Sequence, residues 1–515
     1  MSPPSQQKRV LFNWKNKEKK TTSTTMSTSQ SSPPGPSHQP PPQVTTSSQP
    51  DDLEVVTDDN NSDYSSIDSE IPFSTPNLPP SVTTMMIDSL FTTPPPLHDP
   101  LITPTSTLQD ETLSDILPFL SSSPLPPDLF TYNAYNVPSL RREAHIAFLH
   151  ASLGRLPGKF VAADASRPWF LYWCLSGLAM LGEDVSRYRD SVKETARSMQ
   201  NGSGGFGGGG GQLSHLATSY AVVLALAIVG GEEGFEVIDR RQMWRWLGGL
   251  KQRDGGFEVC RGGEEDIRGA YCAAVIITLL DLPLDLTPES PAYKPDDPSF
   301  NLLSGVADYV RRCQTYEGGI SSSPSAEAHG AYAFCALGCL SLLGPPSITM
   351  PQTLNLPSLL SWLSSRQYAP EGGFSGRTNK LVDGCYSHWV GACFPLIEAA
   401  LANSPTPVND SLFSREGLIR YILNCCQDET KRGGLRDKPG KMSDAYHSCY
   451  VLSGLSAGMH QWVLEDEEWI VLPYLEGEQV FENADRVRPV HPVYVIPQGA
   501  VRAMRGYFRE KGGFN

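Results

Sequence analysis

Three side chains in the last third of the chain could hold a transition metal. Asp383, Cys385 and His447 offer an oxygen, a sulfur and a nitrogen donor. Three protein ligands are typical of a catalytic zinc ion, which keeps its fourth position for a substrate. In a second interpretation, Asp383 caps a helix beside a buried cysteine and His447 lies in the core. The spacing of the three residues leaves both interpretations open.

Cationic and hydrogen-bonding side chains recur where apolar helical stretches begin. Each stands shortly before a Tyr that opens such a stretch, and the set is Arg268, His329, Arg377, Lys380 and Lys441. Brought together, these groups would bind phosphate oxygens well. The alternative is a set of separate, solvated surface charges, and the sequence leaves this choice open too.

Aromatic side chains fall in or beside the same stretches. They are Trp169, Trp173, Tyr271, Tyr332, Trp389, Tyr446 and Tyr450. Such residues usually pack in an ordinary core. A cavity lined by them, with phosphate-binding groups at its mouth, would instead suit a long apolar diphosphate, which means an isoprenoid diphosphate.

An internal repeat indicates which elements position these residues. A Gln, a short polar stretch and Gly-Gly recur five times, with the second glycines at positions 205, 256, 319, 373 and 434. A Tyr that opens an apolar helical run follows each pair by 12 to 15 residues. Paired glycines supply the positive φ that ends one helix and lets the chain reverse. The unit is therefore helix, Gly-rich turn, helix, and because β-type alternation is scarce we expect an all-α fold.

Stacked helical hairpins form either an open solenoid or, if the rotation closes, a barrel with an inner and an outer ring of helices. The helices that begin near each Tyr are the more apolar ones, so we expect them in the inner ring. Their N-terminal ends would then share one rim. Because their positive dipole ends would point the same way, that rim suits an anion.

Composition separates the first 130 residues from the rest of the chain. They hold 6 Lys and Arg, 15 Asp and Glu, and 22 of the 44 prolines, and such a segment cannot bury enough apolar surface to offset chain entropy. We expect a disordered acidic tail over residues 1–130 and one folded domain over residues 131–515. The net charge of −15 argues against binding to nucleic acid through a basic surface.

Hydropathy and cysteine usage indicate the compartment. No apolar run approaches the length of a membrane span, and the N-terminus lacks the apolar core of a signal peptide. The 11 cysteines include no Cys-x-x-Cys pair, which is typical of free thiols in a reducing compartment. We expect a cytoplasmic protein that is not integral to a membrane.

Four motifs resemble the β subunits of the protein farnesyltransferase family, within the CaaX prenyltransferases. They are Asp164-Ala-Ser-Arg-Pro-Trp169, Val382-Asp-Gly-Cys385-Tyr-Ser, Asp437-Lys-Pro-Gly-Lys441 and Tyr446-His447-Ser-Cys-Tyr450. The resemblance runs from about Leu140 to at least Tyr494. It implies an α/α barrel, or toroid, and an obligatory α subunit. It also implies transfer of farnesyl from farnesyl diphosphate to the Cys of a C-terminal CaaX sequence.

The resemblance also implies a role for individual residues. One zinc ion per β subunit would be bound by Asp383, Cys385 and His447. The diphosphate would be bound by His329, Arg377, Lys380 and Tyr386. The isoprenoid would be contacted by Arg268, Tyr271, Tyr332, Cys335, Trp389, Trp169 and Tyr450. The CaaX peptide would be contacted by Trp169, Trp173 and Tyr446. Mg²⁺ on the diphosphate would be held by Asp437.

The sequence departs from the family pattern at His388, which stands where a Phe is expected. This His either approaches the metal or faces the next helix, and we favour the second. No role is assigned to the elaborations at residues 231–241, 283–300 and 464–482.

Three other functions compete with farnesyl transfer. The β subunit of geranylgeranyltransferase type I would share the fold and the zinc site, but the bulk of Trp169 and Tyr450 and the carboxylate of Asp437 favour the farnesyl enzyme. A terpene cyclase should show an Asp-rich motif, and neither D-x-D-D nor D-D-x-x-D occurs. A non-catalytic helical-repeat scaffold that binds a peptide would hold no zinc.

Overall fold

The computed structural model describes residues 91, 101–120, 125–126, 128–134, 136–402, 411–475 and 480–513. The chain divides into two units, residues 1–78 and 79–515, and every described residue lies in the second unit. The expected tail therefore lies largely outside the described residues. No helix in the described part of the chain is both long enough and apolar enough to cross a membrane.

Helices dominate the described residues. The α-helices are α1 (Pro104–Leu120), α2 (Arg142–Leu153), α3 (Arg167–Met180), α4 (Arg189–Met199), α5 (Leu216–Val229), α6 (Glu232–Phe235), α7 (Arg240–Leu250), α8 (Ile267–Leu279), α9 (Val306–Cys313), α10 (Gly330–Leu343), α11 (Pro346–Thr353), α12 (Leu356–Ser364), α13 (Tyr386–Trp389), α14 (Cys393–Leu401), α15 (Arg415–Tyr421), α16 (Ala445–Met459) and α17 (Gln498–Lys511). Short 3₁₀ segments span Gly158–Ser166, Ser186–Tyr188 and Asn483–Asp485, and a π-helical turn, Ile422–Cys426, extends α15. Two strands, β1 (His460–Glu465) and β2 (Glu468–Pro473), form an antiparallel hairpin.

The inner helices form a closed ring. Helix α3 packs on α5, α5 on α8, α8 on α10, α10 on α13 and α14, α13 on α16, and α16 again on α3. Outer helices cover this ring, with α2 on α3, α4 on α5, α9 on α8 and α10, and α15 on α16. The inner helices are the apolar ones, as expected, and every residue of α5 except Ala217 is buried. The expected α/α barrel is confirmed, and the open solenoid is excluded.

The repeated glycines set the distance between successive hairpins. The first glycine of each pair has a positive φ, between 69° and 103° at Gly204, Gly255, Gly318, Gly372 and Gly433. A Cβ atom at any of these positions would collide with a backbone carbonyl at the start of the next outer helix. For Gly433 that carbonyl belongs to Ala144 in α2, so the last turn packs on the first outer helix. Only glycine allows both the φ angle and this close approach.

Four of the five repeated glutamines join successive hairpins by hydrogen bonds. Gln367 donates to the carbonyl of Ser414 at 2.8 Å and accepts from its N–H at 2.9 Å, which ties the turn to the N-cap of α15. Gln427 accepts from the N–H of Arg141 at 2.9 Å and thereby ties the last turn to the N-cap of α2. Each of these glutamine side chains thus supplies a hydrogen-bond partner that the backbone at a helix start otherwise lacks.

A buried histidine completes the closure of the barrel. His145, on α2, lies with Nε2 3.0 Å from Gln427 Oε1, and its Nδ1 accepts from the N–H of Gly434 at 3.0 Å. Burial lowers the pKa of His145 to about 4, so the ring is neutral at pH 7 and carries its proton on Nε2. Neutral His145 therefore bridges the first and last repeats.

Two elements differ from the expectations. Residues 104–120 of the expected tail form helix α1, which buries Thr112, Ile116 and Leu120 against the barrel. The β1–β2 hairpin is a small exception within an otherwise all-α fold. Its inward-facing Trp462 and Trp469 are buried, and it overlaps the elaboration at residues 464–482.

The segment after the hairpin packs against the inside of the barrel. Tyr271 on α8 donates its hydroxyl to the carbonyl of Val493 at 2.6 Å, and Tyr172 on α3 donates to the carbonyl of Val495 at 3.0 Å. The hydroxyl of Tyr494 reaches Thr278 Oγ1 at 3.1 Å. These three bonds hold the segment as one wall of the barrel interior.

Candidate functional site

Polar side chains cap the inner helices at one rim of the barrel. His215, Asp266, His329 and Asp444 accept backbone N–H groups at the starts of α5, α8, α10 and α16. Asp383 does the same for the N–H of Cys385 at 2.9 Å, just before α13. Since a Gly-rich turn precedes each of these five helices in the same sense, their starts share one rim. The positive ends of the helix dipoles there favour an anion.

Three potential metal ligands meet at this rim. Ligand atoms of Asp383, Cys385 and His447 all lie within 4.8 Å of one another. Asp383 and Cys385 come from the turn before α13, and His447 comes from the first turn of α16, which packs on α13. The fold thus joins residues that are more than 60 positions apart in the sequence.

The orientation of His447 suits metal binding. Its Nδ1 lies 2.7 Å from Asp444 Oδ2, so Nδ1 carries a proton that it donates to this carboxylate. The opposite nitrogen, Nε2, is buried 3.3 Å from Asp383 Oδ1 but makes no hydrogen bond of good geometry to any residue that the structure describes. A carboxylate that fixes one ring nitrogen while the other faces the cluster is the usual arrangement at metal sites. An O, S, N donor set with an unpaired imidazole nitrogen fits zinc.

The charges of the cluster are balanced by His447. Burial and then the charge of Asp383 raise the pKa of Cys385 to about 12. Burial opposes the protonation of His447, but the neighbouring carboxylates of Asp383 and Asp444 outweigh it and hold the pKa of His447 well above its usual value. Burial likewise opposes the ionisation of Asp383, but the neighbouring His447 keeps the pKa of Asp383 low. A bound cation would balance the same carboxylates.

His329 and Tyr386 form a hydrogen-bonded pair beside the cluster. Tyr386 Oη lies 3.1 Å from His329 Nε2, and His329 Nδ1 accepts from the N–H of Ala331 at 3.0 Å. The His329 proton is therefore on Nε2. Burial and then the charges of Arg377 and Arg268 lower the pKa of His329 to about 4, so at pH 7 it is a neutral donor. His329 Nε2–H therefore donates to Tyr386 Oη, and the Tyr386 O–H is left as a donor that adds no charge.

Two cationic residues, Arg377 and Arg268, lie near this pair. Arg377 forms an ion pair with Glu327 at 2.7 Å, in which both side chains are more than a third exposed. Lys380 is exposed in the same loop. The guanidinium of Arg268 is bonded to the N-cap Asp266 and lies 5.8 Å from the ring centroid of Tyr332. Half-exposed ion pairs are weak, so a phosphate could replace Glu327 as the partner of Arg377.

Aromatic rings form a continuous circuit around the barrel interior. Neighbouring ring centroids are 4.5 to 5.9 Å apart through the sequence Trp169, Tyr220, Tyr271, Phe334, Trp389, Tyr450, Tyr446, Trp173 and back to Trp169. Trp389 also donates its indole N–H to Tyr446 Oη at 3.0 Å. Cys335 is buried beside Phe334 on α10. The candidate isoprenoid and peptide contacts therefore lie on one surface.

Some members of the site do not stand out in the sequence. Tyr220 and Phe334 complete the aromatic circuit, and Tyr220 is recognisable as the Tyr of the first repeat. Asp444, which orients His447, is recognisable as a helix N-cap three residues before it. Lys438 lies against the carboxylate of Asp437, so the candidate magnesium ligand is already paired. The one indication of this pairing in the sequence is that a positively charged residue directly follows Asp437.

His388 faces the next helix rather than the metal cluster. Its Nδ1 lies 2.9 Å from Ser453 Oγ on α16, and its ring packs 4.6 Å from Phe334 and 5.1 Å from Tyr450. Burial lowers its pKa to about 3. The structure therefore agrees with the second of the two alternatives for His388, and the residue fills the space of an aromatic side chain.

Comparisons with known proteins give a consistent family. Residues 140–496 match the family described as "Prenyltransferase alpha-alpha toroid domain". The chain is 61% identical over 440 residues to the protein farnesyltransferase subunit beta of Pyricularia oryzae, which covers 83% of this chain and 85% of the relative. It is 36% identical over 406 residues to the subunit of the same name from Schizosaccharomyces pombe, with 78% and 96% covered.

A solved structure supports the fold. Candida albicans protein geranylgeranyltransferase-I complexed with GGPP superposes with a TM-score of 0.54 at 20% identity, over 71% of this chain and 98% of that one. At this identity the likeness establishes the barrel and not the substrate.

Proposed function

Because the chain belongs to the family of protein farnesyltransferase β subunits, we propose that it is the catalytic β subunit of a heterodimeric, zinc-dependent protein farnesyltransferase. The enzyme transfers farnesyl from farnesyl diphosphate to the thiol of a C-terminal CaaX cysteine. The relatives that share 61% and 36% identity over most of the chain carry the farnesyl name, which favours this donor over geranylgeranyl diphosphate. By family membership, its partner is an α subunit and its compartment is the cytoplasm.

We assign one zinc ion to Asp383, Cys385 and His447. Bound zinc lowers the pKa of a thiol ligand, so that the substrate cysteine is present as the nucleophilic thiolate at neutral pH. The protein prepares the ligands for this role. Asp444 holds the His447 tautomer with Nε2 toward the cluster, and the N–H of Cys385 fixes one oxygen of Asp383.

The diphosphate is assigned to the rim beside the metal ligands. His329 Nε2–H and Tyr386 Oη–H would donate to its oxygens, and Arg377 and Lys380 would balance its charge. Because negative charge grows on the leaving diphosphate as the carbon–oxygen bond breaks, donors fixed in advance stabilise the transition state. Mg²⁺ at Asp437 would add to this effect, and Lys438 must then move away from the carboxylate.

The aromatic circuit is assigned to the two organic substrates. The isoprenoid would lie against Arg268, Tyr271, Tyr332, Cys335, Trp389, Trp169 and Tyr450. The CaaX peptide would lie against Trp169, Trp173 and Tyr446. Apolar rings bind a prenyl chain by removing it from water, at about 25 cal/mol per Å² of buried surface.

The observation that carries this proposal is the meeting of the three donor residues, in which buried His447 Nε2 makes no hydrogen bond to any described residue. Metal analysis of the purified complex with the α subunit tests it. We expect one zinc per β chain, and loss of that zinc and of transferase activity in Cys385→Ala. Cys339→Ala, which changes a buried cysteine outside the cluster, is the matched control and should retain both.

Two results would contradict the proposal. A wild-type complex without zinc would favour the non-catalytic scaffold. Stoichiometric zinc with full activity in Cys385→Ala would show that the metal lies elsewhere.

A further inference from the structure

A segment from the N-terminal part of the chain is fastened to the outside of the barrel. Arg420 of α15 is buried, and its guanidinium donates to the carbonyl of Phe91 at 2.6 Å and to the carbonyl of Leu120 at 2.5 Å. One side chain thus holds both Phe91 and the C-terminal end of α1. We call Phe91 together with helix α1 the strap.

Other strap contacts reach two successive repeats. Gln109 donates to Glu371 Oε1 at 2.7 Å, and Glu371 lies buried in the Gly-Gly turn of the fourth repeat. The ring of Phe91 rests against Gly417 of α15, in the fifth repeat. Ile116 is fully buried at the middle of the contact, where α1 packs on the π-helical turn. The fourth repeat supplies Asp383 and Cys385, and the fifth repeat supplies His447.

The elements beneath the strap hold the backbone next to the metal cluster. The carbonyl of Asp437 accepts from Gly384 N at 2.8 Å and from Tyr421 Oη at 3.1 Å. Gly384 stands between Asp383 and Cys385, and the carbonyl of Arg436 lies so close to it that a Cβ there would collide. Tyr421 directly follows Arg420, and the guanidinium of Arg436 lies 5.8 Å from the ring of Phe119 in the strap. A short path of bonds therefore joins the strap to both ligands.

We propose that the strap is a positioning element for the metal site. It fixes α15 and the Arg436–Asp437 backbone, and these hold Gly384, so that Asp383 and Cys385 keep their distance from His447. The proposal rests on the proposed function only for the presence of the metal. Without the strap, the buried Arg420 and Glu371 would be exposed to water, and the segment that carries Tyr421 would lose its outer support.

A matched pair of variants on α1 tests the proposal in the full-length chain with its α subunit. Ile116→Asp places a charge at a fully buried position, and Leu108→Asp places the same charge on the same helix where the side chain is 51% exposed. Zinc affinity is measured by competition with a chelator, and kcat and KM are measured alongside. We expect Ile116→Asp to weaken zinc binding at least tenfold and to lower kcat, and Leu108→Asp to stay within twofold of the wild type.

A milder variant covers the case in which Ile116→Asp does not fold. Tyr421→Phe retains the buried ring and removes only the bond to the carbonyl of Asp437, and we expect a threefold to tenfold weaker zinc affinity. Deletion of residues 1–90 leaves the strap intact and should change neither zinc affinity nor kcat. Deletion of residues 1–125 removes the strap and should lower both, as Ile116→Asp does.

The proposal is overturned if Ile116→Asp or Tyr421→Phe assembles with the α subunit and binds zinc like Leu108→Asp. Hydrogen exchange at the Gly384 amide separates this failure from a failure of the proposed function. If the wild-type complex holds no zinc, the function is wrong, but faster exchange at Gly384 in Ile116→Asp than in Leu108→Asp still supports the strap. Equal exchange rates would contradict it.

Discussion

Asp444 should control how tightly the metal is held, although it is not itself in the ligand set. Its Oδ2 binds His447 Nδ1 at 2.7 Å, and its Oδ1 accepts from the N–H of His447 at 2.8 Å as the N-cap of α16. Asp444→Asn leaves an oxygen for the cap but removes the negative charge that makes His447 a stronger donor. Asp444→Ala removes both functions.

The size of the effect follows from the exposure of this pair. Hydrogen bonds to charged groups are worth about 1.5–3 kcal/mol, and loss of such a partner behind a metal ligand typically costs 10- to 100-fold in metal affinity. The Asp444 side chain is 43% exposed, so water screens part of its charge. We therefore expect about a tenfold loss of zinc affinity, or about 1.4 kcal/mol, in Asp444→Asn, and a larger loss in Asp444→Ala.

Asp239 provides the control for the capping function. It caps the outer helix α7 by accepting from the N–H of Gln242 at 3.0 Å, away from the metal cluster. Chelator competition and thermal unfolding are measured for Asn and Ala at both positions. Ala should cost about 1 kcal/mol of stability at either site through the lost cap, but only the Asp444 variants should lose zinc. Unchanged zinc affinity in both Asp444 variants would refute the assigned role of His447.

Three further predictions concern the donor, the magnesium and acid stability. Trp169→Thr, alone or with Tyr450→Phe, should raise the preference for geranylgeranyl over farnesyl diphosphate by about tenfold or more, since overpacking of a longer isoprenoid costs about 1–3 kcal/mol. An unchanged ratio of the kcat/KM values for the two diphosphates would show that these residues do not select the isoprenoid length. Asp437→Lys should abolish the dependence of the rate on Mg²⁺. Lys438→Met should lower the Mg²⁺ concentration that gives half of the maximal rate, because Lys438 is paired with the Asp437 carboxylate. Magnesium titrations of both variants that match the wild type would exclude Asp437 as the ligand. The pKa of His145 is lowered in the fold, so its contribution to stability is complete above pH 6.5 and declines as the pH falls toward about 4. The destabilisation caused by His145→Gln, measured by chemical denaturation, should therefore be about 2 kcal/mol smaller at pH 5 than at pH 7, and a difference independent of pH would contradict this.

The repeat pattern predicted stacked helical hairpins but left the open solenoid and the closed barrel as alternatives, and only the family resemblance favoured the barrel. The Gln and Gly-Gly positions are where the chain reverses and where hairpins approach most closely. At Gly204 and Gly433, for example, hardly any residue other than glycine would fit. Residues 140–153 and 169–181 carry apolar side chains at helical spacing, and these stretches correspond closely to α2 and α3. The three candidate metal ligands could be named together because they lie beside the Tyr that opens an inner helix, but their spacing left metal binding and a structural role as alternatives.

The parts that the sequence did not reveal depend on long-range contacts or on the direction in which side chains point. Helix α1 has only three buried side chains, and its stability depends on Arg420 and Glu371, which lie about 300 and 260 positions away. The pairing of Asp437 with Lys438 depends on side-chain orientation, which sequence spacing does not determine. The β1–β2 hairpin is short, and its alternation is visible only once Trp462 and Trp469 are seen to face inward.

Transfer of a labelled isoprenoid tests the central claim most directly. The chain is purified with its α subunit and supplied with zinc, magnesium and a peptide that ends in a CaaX sequence, and labelled farnesyl or geranylgeranyl diphosphate is offered in turn. The account predicts a stable thioether on the peptide cysteine with farnesyl diphosphate, no product with a peptide that has Ser in place of Cys, and a much lower kcat/KM with geranylgeranyl diphosphate. Equal or better use of the geranylgeranyl donor would contradict the donor assignment, and no transfer from either donor by a zinc-loaded complex would contradict the enzyme itself.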